Sequence, residues 1–186
     1  MLDFCKWETI EPIKALALSG LFNDYIYEQT ALPFYKTIKL ARCRHRSEEE
    51  QYLYYLIYKN MALELSGPSD NIYEANDLDG VFINKDNVIQ YIKFFCYFIK
   101  ADGSNFIVIE NCDDEDLEPI NNDLDEGILS RIGKMEYLGY NQKMRHEVSG
   151  IVRYKESLFR AKYEIETDGH VEMIDEEEIY EKSKER

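Results

Sequence analysis

In the stretch LFRAKYEIE, residues 158–166, apolar and charged side chains alternate from Phe159 to Glu166. Because successive side chains of a β-strand point to opposite faces of a sheet, this alternation predicts a strand with one buried face and one exposed face. The side chains predicted to face the core are Phe159, Ala161, Tyr163 and Ile165, and those predicted to face solvent are Arg160, Lys162, Glu164 and Glu166. The Asp168–Gly169 pair that follows is typical of a tight hairpin turn.

Three neighbouring segments also have the length and composition of strands: KMEYLGY at 134–140, HEVSGIVRY at 146–154 and HVEMID at 170–175. Short polar turns separate them, so the carboxyl-terminal half of the chain predicts an antiparallel meander. The last residues, 176–186, are densely charged. We expect this charged tail to fray or to form a short helix.

The clearest helix is predicted for Lys85–Lys100, with Asn84 as its N-cap. Its polar stripe is narrow, so the helix should lie on or inside the core. The segment FIVIE, residues 106–110, is apolar on both faces, as a central strand would be. Helices and antiparallel strands that occur in blocks predict an α+β fold, in which a strongly curved antiparallel meander packs with one central helix and with amino-terminal helices.

Over about Asn84–Asp175 this order of a helix and a curled meander resembles the cystatin or NTF2-like arrangement. The resemblance implies a sheet that wraps around a helix. It implies no particular function, because folds of this kind host pockets, enzymes and dimer interfaces alike.

The amino-terminal helices are predicted from Thr9–Glu28, where apolar residues recur at three- or four-residue spacing. Thr9 would be the N-cap, and Gly20 with the residues that follow would divide the segment into two shorter helices. The next segment, FYKTIKLARCRH at 34–45, is rich in β-branched and aromatic residues and predicts a strand.

Residues 52–65 have two interpretations. A capping box of Ser47 and Glu50 would begin a helix, with one apolar face formed by Leu53, Ile57, Met61 and Leu65. The aromatic and β-branched run at 52–58, with a tight turn at Lys59–Asn60, predicts two strands instead. We favour the strands.

Length and charge restrict the class of protein. The 186 residues predict a single α+β domain over 1–186, and the net charge of −15 makes binding to nucleic acid or to an anionic membrane surface unfavourable. The first residues lack the pattern of a secretory signal, and the longest apolar run is too short to cross a bilayer. The four cysteines are scattered, so we expect reduced thiols and a cytoplasmic protein.

The stretch ENCDDEDLEPINNDLDEG, residues 110–127, contains nine carboxylates and no lysine or arginine. A calcium loop starting at Asn121 fails, because Glu126 takes the glycine position and Ile132 the position of the bidentate glutamate. We predict an acidic loop excursion over about 110–130, which is either solvated or functional. The side chains predicted to form an acidic interaction surface are Asp113, Asp114, Glu115, Asp116 and Glu118.

The densest positive segment is RCRHR, residues 42–46. On a strand, Arg42, Arg44 and Arg46 would share a face beside His45 and bind carboxylate or phosphate groups. Alternatively, the arginines neutralise 48–50 or the acidic excursion. Cys43 and His45 would lie roughly 6–7 Å apart on a strand, too far for direct proton transfer.

No catalytic motif accompanies these features. The three histidines lack zinc-ligand spacing, and the chain contains neither a glycine-rich phosphate loop nor a nucleophile elbow. We therefore predict no catalytic residue, no metal and no cofactor.

The function predicted from these observations is that of an acidic protein-interaction module, similar to an immunity, chaperone or inhibitor protein, which binds a basic protein partner without catalysis. The alternative is a small pocket-bearing enzyme or ligand-binding protein of cystatin or NTF2-like architecture. Mimicry of nucleic acid by the acidic surface is a minor third interpretation. We expect neither nucleic acid nor a membrane as a partner, and the sequence leaves a homodimer open.

Overall fold

The computed structural model describes residues 2, 5–11, 24–47, 51–120 and 123–181. Within these ranges the chain forms strands β1 to β11 and α-helices α1 to α3. The strands in chain order are Glu8–Ile10, Tyr25–Ala31, Lys39–His45, Leu53–Tyr58, Met61–Glu64, Lys100–Ala101, Ser104–Ile109, Glu136–Tyr140, His146–Tyr154, Ser157–Ile165 and Val171–Glu181. The helices are Asp70–Asp79, Val88–Phe98 and Glu126–Leu129, and a 3₁₀ turn spans Glu115–Leu117.

The described strands form two antiparallel sheets. The first has five strands in the order β1-β2-β3-β4-β5, and the second has six, with the path β11-β10-β9-β7-β6 and with β8 beside β9. Strand β9 pairs twice along one edge, since residues 146–149 face β8 and residues 151–154 face β7. The second sheet is curved, so the architecture is α+β with a curved antiparallel sheet, as predicted.

Both sheets contribute residues to one apolar core. Helix α2 contributes six buried side chains to this core. An 11-residue helix with so few polar side chains is stable only when neighbours cover most of its faces. The largest apolar cluster joins this helix to Leu40 and Leu56 of the first sheet and to Val148 and Val152 of the second. The buried residues of α2 are Val88, Tyr91, Ile92, Phe94, Cys96 and Phe98.

A second apolar cluster covers the opposite face of the six-stranded sheet. Ile151 and Leu158 alternate along their strands with residues of the main core, so their side chains point away from α2. There they pack with Leu117 and Ile120, which belong to the acidic stretch. This packing fixes the acidic stretch against the sheet.

The prediction of amino-terminal helices is wrong at both ends of the segment. Glu8–Ile10 and Tyr25–Ala31 are strands β1 and β2, which pair antiparallel with Thr9 opposite Glu28. The β-branched and aromatic residues at these ends fit a pleated sheet, and β3 supplies the partner strand. The middle of the predicted helices, 12–23, lies outside the described residues.

Residues 53–64 form the hairpin β4–β5, so the strand interpretation is confirmed. Lys59 in the turn adopts a φ of 52°, and Tyr58 pairs with Met61 across it. The helical apolar face is not used, because Leu56 and Leu63 lie opposite each other on the buried side of the sheet.

Two boundaries differ from the prediction. Helix α2 begins after Asn87 rather than Asn84, because the Asn87 side chain accepts the Asn84 backbone N–H at 2.8 Å and closes a turn before the helix. Strand β11 continues to Glu181, so residues 176–181 of the predicted tail extend the sheet. The remainder of the tail, 182–186, lies outside the described residues.

Strand β10 follows its predicted alternation except at two positions: Phe159, predicted to face the core, is only half-buried, and Glu164 is buried. Ala161, Tyr163 and Ile165 are buried, but Glu164, predicted to face solvent, is only 7 % exposed. Its carboxylate accepts hydrogen bonds from Arg145 at 3.0 Å and from Asn141 at 2.8 Å. The charge is buried because these partners satisfy it.

Candidate functional site

The predicted arginine site is already occupied by a residue of the chain itself. Arg42 on β3 donates from Nε to Glu28 Oε2 on β2 at 2.8 Å. Its guanidinium lies between two aromatic rings, 4.2 Å from the centre of Trp7 and 4.4 Å from that of Tyr52. Burial acts to lower the pKa of Arg42, but Glu28 raises it above the ordinary value, so the cation is firmly held. Arg42 thus serves to pack this end of the first sheet.

The neighbouring predicted residues do not extend this arrangement into an arginine ladder. Strand β3 ends at His45, so Arg46 lies beyond it, and the Arg46 backbone N–H donates to the Asp24 carbonyl at 2.9 Å. His45 Nδ1 lies 2.6 Å from Ser47 Oγ, and its ring meets Tyr25 edge to face. Arg44 shares the Arg42 face of the strand by alternation. Anion binding by Arg42, Arg44, His45 and Arg46 stays a prediction.

Cys43 is fully buried on the opposite face of β3. Burial raises the pKa of its thiol to about 11, so the thiol is protonated at neutral pH and is a poor nucleophile.

The described residues of the acidic stretch pack against the six-stranded sheet through Leu117 and Ile120. We call residues 110–120 and 123–127 the acidic cover. Its 3₁₀ turn is capped by Asp114, which accepts the Asp116 backbone N–H, and α3 is capped by Asp125, which accepts that of Ile128 at 2.8 Å. At its start, Glu110 bonds Lys93 of α2 at 2.6 Å. Three of the predicted surface residues, Asp113, Glu115 and Glu118, are exposed, and Asp114 and Asp116 are half-buried.

The structure brings β11 beside this cover. The Tyr180 hydroxyl donates to Asp123 Oδ2 at 3.3 Å, across 57 residues of sequence. Strand β11 also carries exposed carboxylates, which point to both sides of the sheet: Asp175 and Glu177 to the side of the cover, Glu176 and Glu178 to the opposite side. The two segments together form one acidic surface that wraps around β11, which we call the acidic face; its members are Asp113, Glu115, Glu118, Asp123, Asp125, Glu126, Glu172, Asp175, Glu176, Glu177, Glu178 and Glu181. Sequence reasoning predicted a strand at 170–175 but missed its continuation through Glu176–Glu181, because residues 176–186 were predicted to fray or to form a short helix.

Some of this negative charge is compensated within the chain. Glu177 pairs with both Arg131 and Arg160, and Glu172 lies 3.3 Å from Arg145. These pairs are partly exposed and contribute little stability individually. They neutralise the side of β11 that faces away from α2.

On the other side of β11 the curved sheet encloses a groove just beyond the end of α2, with a volume of about 300 Å³. We call this cavity the apolar groove. Phe106 and Tyr154 stack on one wall with ring centres 4.8 Å apart, and Met173 of β11 forms the opposite rim. Tyr163 lies on the floor, where its hydroxyl accepts a hydrogen bond from Cys96 Sγ at 3.7 Å. Burial raises the pKa of this hydroxyl well above its ordinary value, so it stays protonated.

A second cavity of about 220 Å³ lies at the Lys93–Glu110 pair, lined also by Tyr97 and Asp114. Its two charged groups already bond each other, and Glu110 Oε1 accepts the Met135 backbone N–H at 3.1 Å. The polar atoms of this cavity are therefore committed to holding the acidic cover against α2.

Over the ranges that the structure describes, no group of three or more His, Cys, Asp or Glu side chains is arranged to hold a metal ion. Among the described helices, none combines the length and the apolar surface that a membrane span requires.

Comparisons of the chain with protein-family models, with curated proteins and with solved structures gave no match.

Proposed function

We propose that the chain is a protein-binding module whose acidic face docks a basic surface of a partner protein, as immunity, chaperone or inhibitor proteins do. The observation that carries this proposal is the contact between Tyr180 and Asp123, which joins two acidic segments into one face. Complementary charge across such a face speeds encounter with a basic partner and excludes acidic ones.

The packing of the two segments that form the acidic face supports a binding role. Leu117 and Ile120 anchor the acidic cover in the second apolar cluster, and β11 is held by β10 along its length. A fixed array of carboxylates loses less conformational entropy on binding than a mobile tail would. We also propose a cytosolic location, since the four cysteines are scattered along the sequence and form no C-x-x-C pair.

Affinity capture at two salt concentrations tests the proposal. The protein is immobilised and exposed to a cell extract at about 50 mM and at about 300 mM salt, because exposed charges are screened within a Debye length of about 10 Å near 0.1 M. The test variant carries Asp175→Asn, Glu176→Gln and Glu178→Gln, which removes three charges from the acidic face. The control carries Glu64→Gln, Asp77→Asn and Asp86→Asn, which removes three exposed charges elsewhere.

We expect a stoichiometric basic partner at low salt with the wild type and with the control, and its loss with the test variant. The proposal is wrong if no stoichiometric partner is captured at low salt, or if both triple variants capture it equally.

The apolar groove favours a second candidate function, that of a small pocket-bearing enzyme or ligand-binding protein. Its volume of about 300 Å³ lies at the lower end of the range of small-molecule sites, and its walls are mainly aromatic and aliphatic. A thermal-shift series with fatty acids of increasing chain length tests this candidate, because a ligand at 100 times its Kd adds about 2.7 kcal/mol to stability. Met173→Ala should reduce the shift, while Met61→Ala, on the first sheet, should leave it unchanged.

A further inference from the structure

The outer edge of β11 and the apolar groove beside it form one continuous surface. Among the strands that the structure describes, β11 pairs with β10 alone. The N–H and C=O groups on its other side therefore form an edge to which a further strand can be added. Met173 and Glu176 of the same strand line the groove.

We propose that β11 accepts an extended, lysine- or arginine-rich segment of a partner protein as an added strand, with an apolar side chain of that segment in the groove. This inference rests on the proposed function, and it names the chemistry of the partner and the place where it binds.

The backbone part of this site is short. Register shifts in the β10–β11 pairing leave out Ile174 and Ile179, so each is the extra residue of a β-bulge. Between them, Asp175–Glu178 pairs regularly with Phe159–Lys162. A ladder of this length gives direction and register to a bound strand, so most of the affinity has to come from side chains.

The groove supplies an apolar contact for those side chains. Met173 lies opposite Tyr163, and Glu176 lies opposite Ala161, so both β11 residues point to the groove side of the sheet. In a strand added next to β11, every second side chain would point to the same side. Met173 is 44 % exposed and Ile174 is 38 % exposed, so apolar surface is available along this edge.

Charge selects the partner. Asp175, Glu176, Glu177 and Glu178 are consecutive and exposed. Glu176 and Glu178 point to the groove side, and Asp175 and Glu177 point to the other side, where Glu177 already pairs with Arg131 and Arg160. A second copy of β11 would place like charges opposite each other, which disfavours a homodimer through this edge, whereas lysine or arginine side chains would pair with the row. An acidic edge also protects a sheet against self-pairing. Protection against self-pairing would not explain why Met173 is exposed on this edge or why the apolar groove lies beside it.

The test uses the full chain and a labelled, capped nine-residue peptide of lysines with one central leucine, so that lysine side chains lie on both sides of the added strand. Three control peptides change one property each: glutamate replaces lysine, threonine replaces leucine, or the backbone amides on one edge are methylated. Binding is measured by fluorescence anisotropy at about 50 mM and about 500 mM salt, since screening separates the charge contribution from the others. The variants are Met173→Ala, the matched control Met61→Ala at similar exposure (42 %), and the triple variant Asp175→Asn, Glu176→Gln, Glu178→Gln.

We expect the triple variant to weaken binding roughly tenfold at low salt and less at high salt. Met173→Ala should weaken it about fivefold or more with Met61→Ala unchanged, and each control peptide should bind more weakly than the parent. If the triple variant weakens binding but Met173→Ala and backbone methylation do not, the edge-and-groove mode is wrong while the acidic face stands. If the triple variant has no effect, the proposed function fails with it. Two further outcomes also overturn the inference. In the first, the peptide displaces a fatty acid from the groove and backbone methylation has no effect. In the second, the protein forms a dimer that Met173→Ala dissociates.

Discussion

The hydroxyl of Tyr91 on α2 donates a hydrogen bond of 2.6 Å to the carbonyl oxygen of Gly169, 78 residues further along the chain. Asn76 of α1 donates to the same hydroxyl at 2.9 Å and to the Asp168 carbonyl at 3.1 Å, and it accepts from the Tyr35 hydroxyl at 2.6 Å. This buried network ties the loop before β3, both long helices and the β10–β11 turn together. The turn that sets the start of β11 is therefore positioned from the core.

Gly169 is the position where this network tolerates least change. Its φ is +84°, and a Cβ built there would lie 2.4 Å from Asn76 Nδ2 and 2.6 Å from the Tyr91 hydroxyl. We expect Gly169→Ala to lower the free energy of unfolding by about 3 kcal/mol or more, measured by urea denaturation. Gly103→Ala is the matched control, because Gly103 has a φ of +76° but open space around its Cβ position. Gly103→Ala should lower the free energy of unfolding by only about 1–2 kcal/mol, the cost of placing an alanine in the left-handed backbone region. Equal losses in the two variants would show that the network does not crowd Gly169.

Strand β10 and helix α2 could be predicted because their signals are local. The alternation from Phe159 to Ile165 and the narrow polar stripe of α2 are readable within a dozen residues, and the structure agrees with both. The unpredicted burial of Glu164 is explained by its hydrogen bonds from Arg145 and Asn141, which lie 19 and 23 residues away in sequence. A single strand does not reveal partners of this kind.

The amino-terminal strands and the second half of β11, residues 176–181, could not be predicted, because their stability comes from strands distant in sequence. Thr9 pairs with Glu28 only because β3 holds β2, and the carboxylates of β11 continue as a strand beside Arg160 and Lys162 of β10. The acidic face and the apolar groove depend on the same distant pairings. The sequence therefore revealed the negative charge of the face, but not the arrangement of its residues or the presence of the groove. One usable signal was present: Leu117 and Ile120 interrupt the acidic stretch at a spacing that fits one buried side of a turn.

Arg42 should resist even a conservative substitution. Lysine keeps the charge but loses the planar group that stacks between Trp7 and Tyr52 and the fixed donor to Glu28. We expect Arg42→Lys to lower the free energy of unfolding by about 1–2 kcal/mol. Trp7 is the only tryptophan, so its fluorescence reports the stacking directly.

The control for this prediction is Arg160→Lys. Arg160 Nε lies 3.7 Å from Glu177, and its side chain is 44 % exposed, so the change should stay within about 0.5 kcal/mol. If Arg42→Lys lowers the free energy of unfolding no more than Arg160→Lys does, and Trp7 emission is unchanged, the stacked guanidinium does not contribute to stability.

Stability should depend on pH through His146. The side chain is fully buried and its Nδ1 lies 3.2 Å from the Tyr137 hydroxyl, while a hydrogen bond with the Ile83 backbone partly offsets the effect of burial on its pKa. Burial lowers the pKa of this imidazole below its ordinary value of 6.5. The unfolded chain therefore binds a proton more readily, so the contribution of neutral His146 is complete above pH 6.5 and is lost as the pH falls through the native pKa.

We expect the free energy of unfolding of the wild type to decrease in this window by up to about 1.4 kcal/mol per pH unit. His146→Phe removes the titrating group, and its profile between pH 7 and pH 5 should be flatter by that amount. Urea denaturation at several pH values measures both slopes. Identical slopes would mean that His146 is protonated without cost in the native state.

The packing of the acidic cover can be separated from its charge by one pair of substitutions. Leu117 is fully buried against Ile151 and Leu158, whereas Leu138 on β8 is 49 % exposed. If the cover folds together with the sheet, Leu117→Ala leaves a cavity and costs about 2–4 kcal/mol, while Leu138→Ala costs less than about 1 kcal/mol. Urea denaturation measures the loss, and hydrogen exchange of the amides at 113–120 shows whether they open with the sheet or before it. A small loss for Leu117→Ala, with rapid exchange across the cover in the wild type, would mean that the cover is a solvated loop. The acidic face would then lose the rigid half on which docking of a basic partner depends.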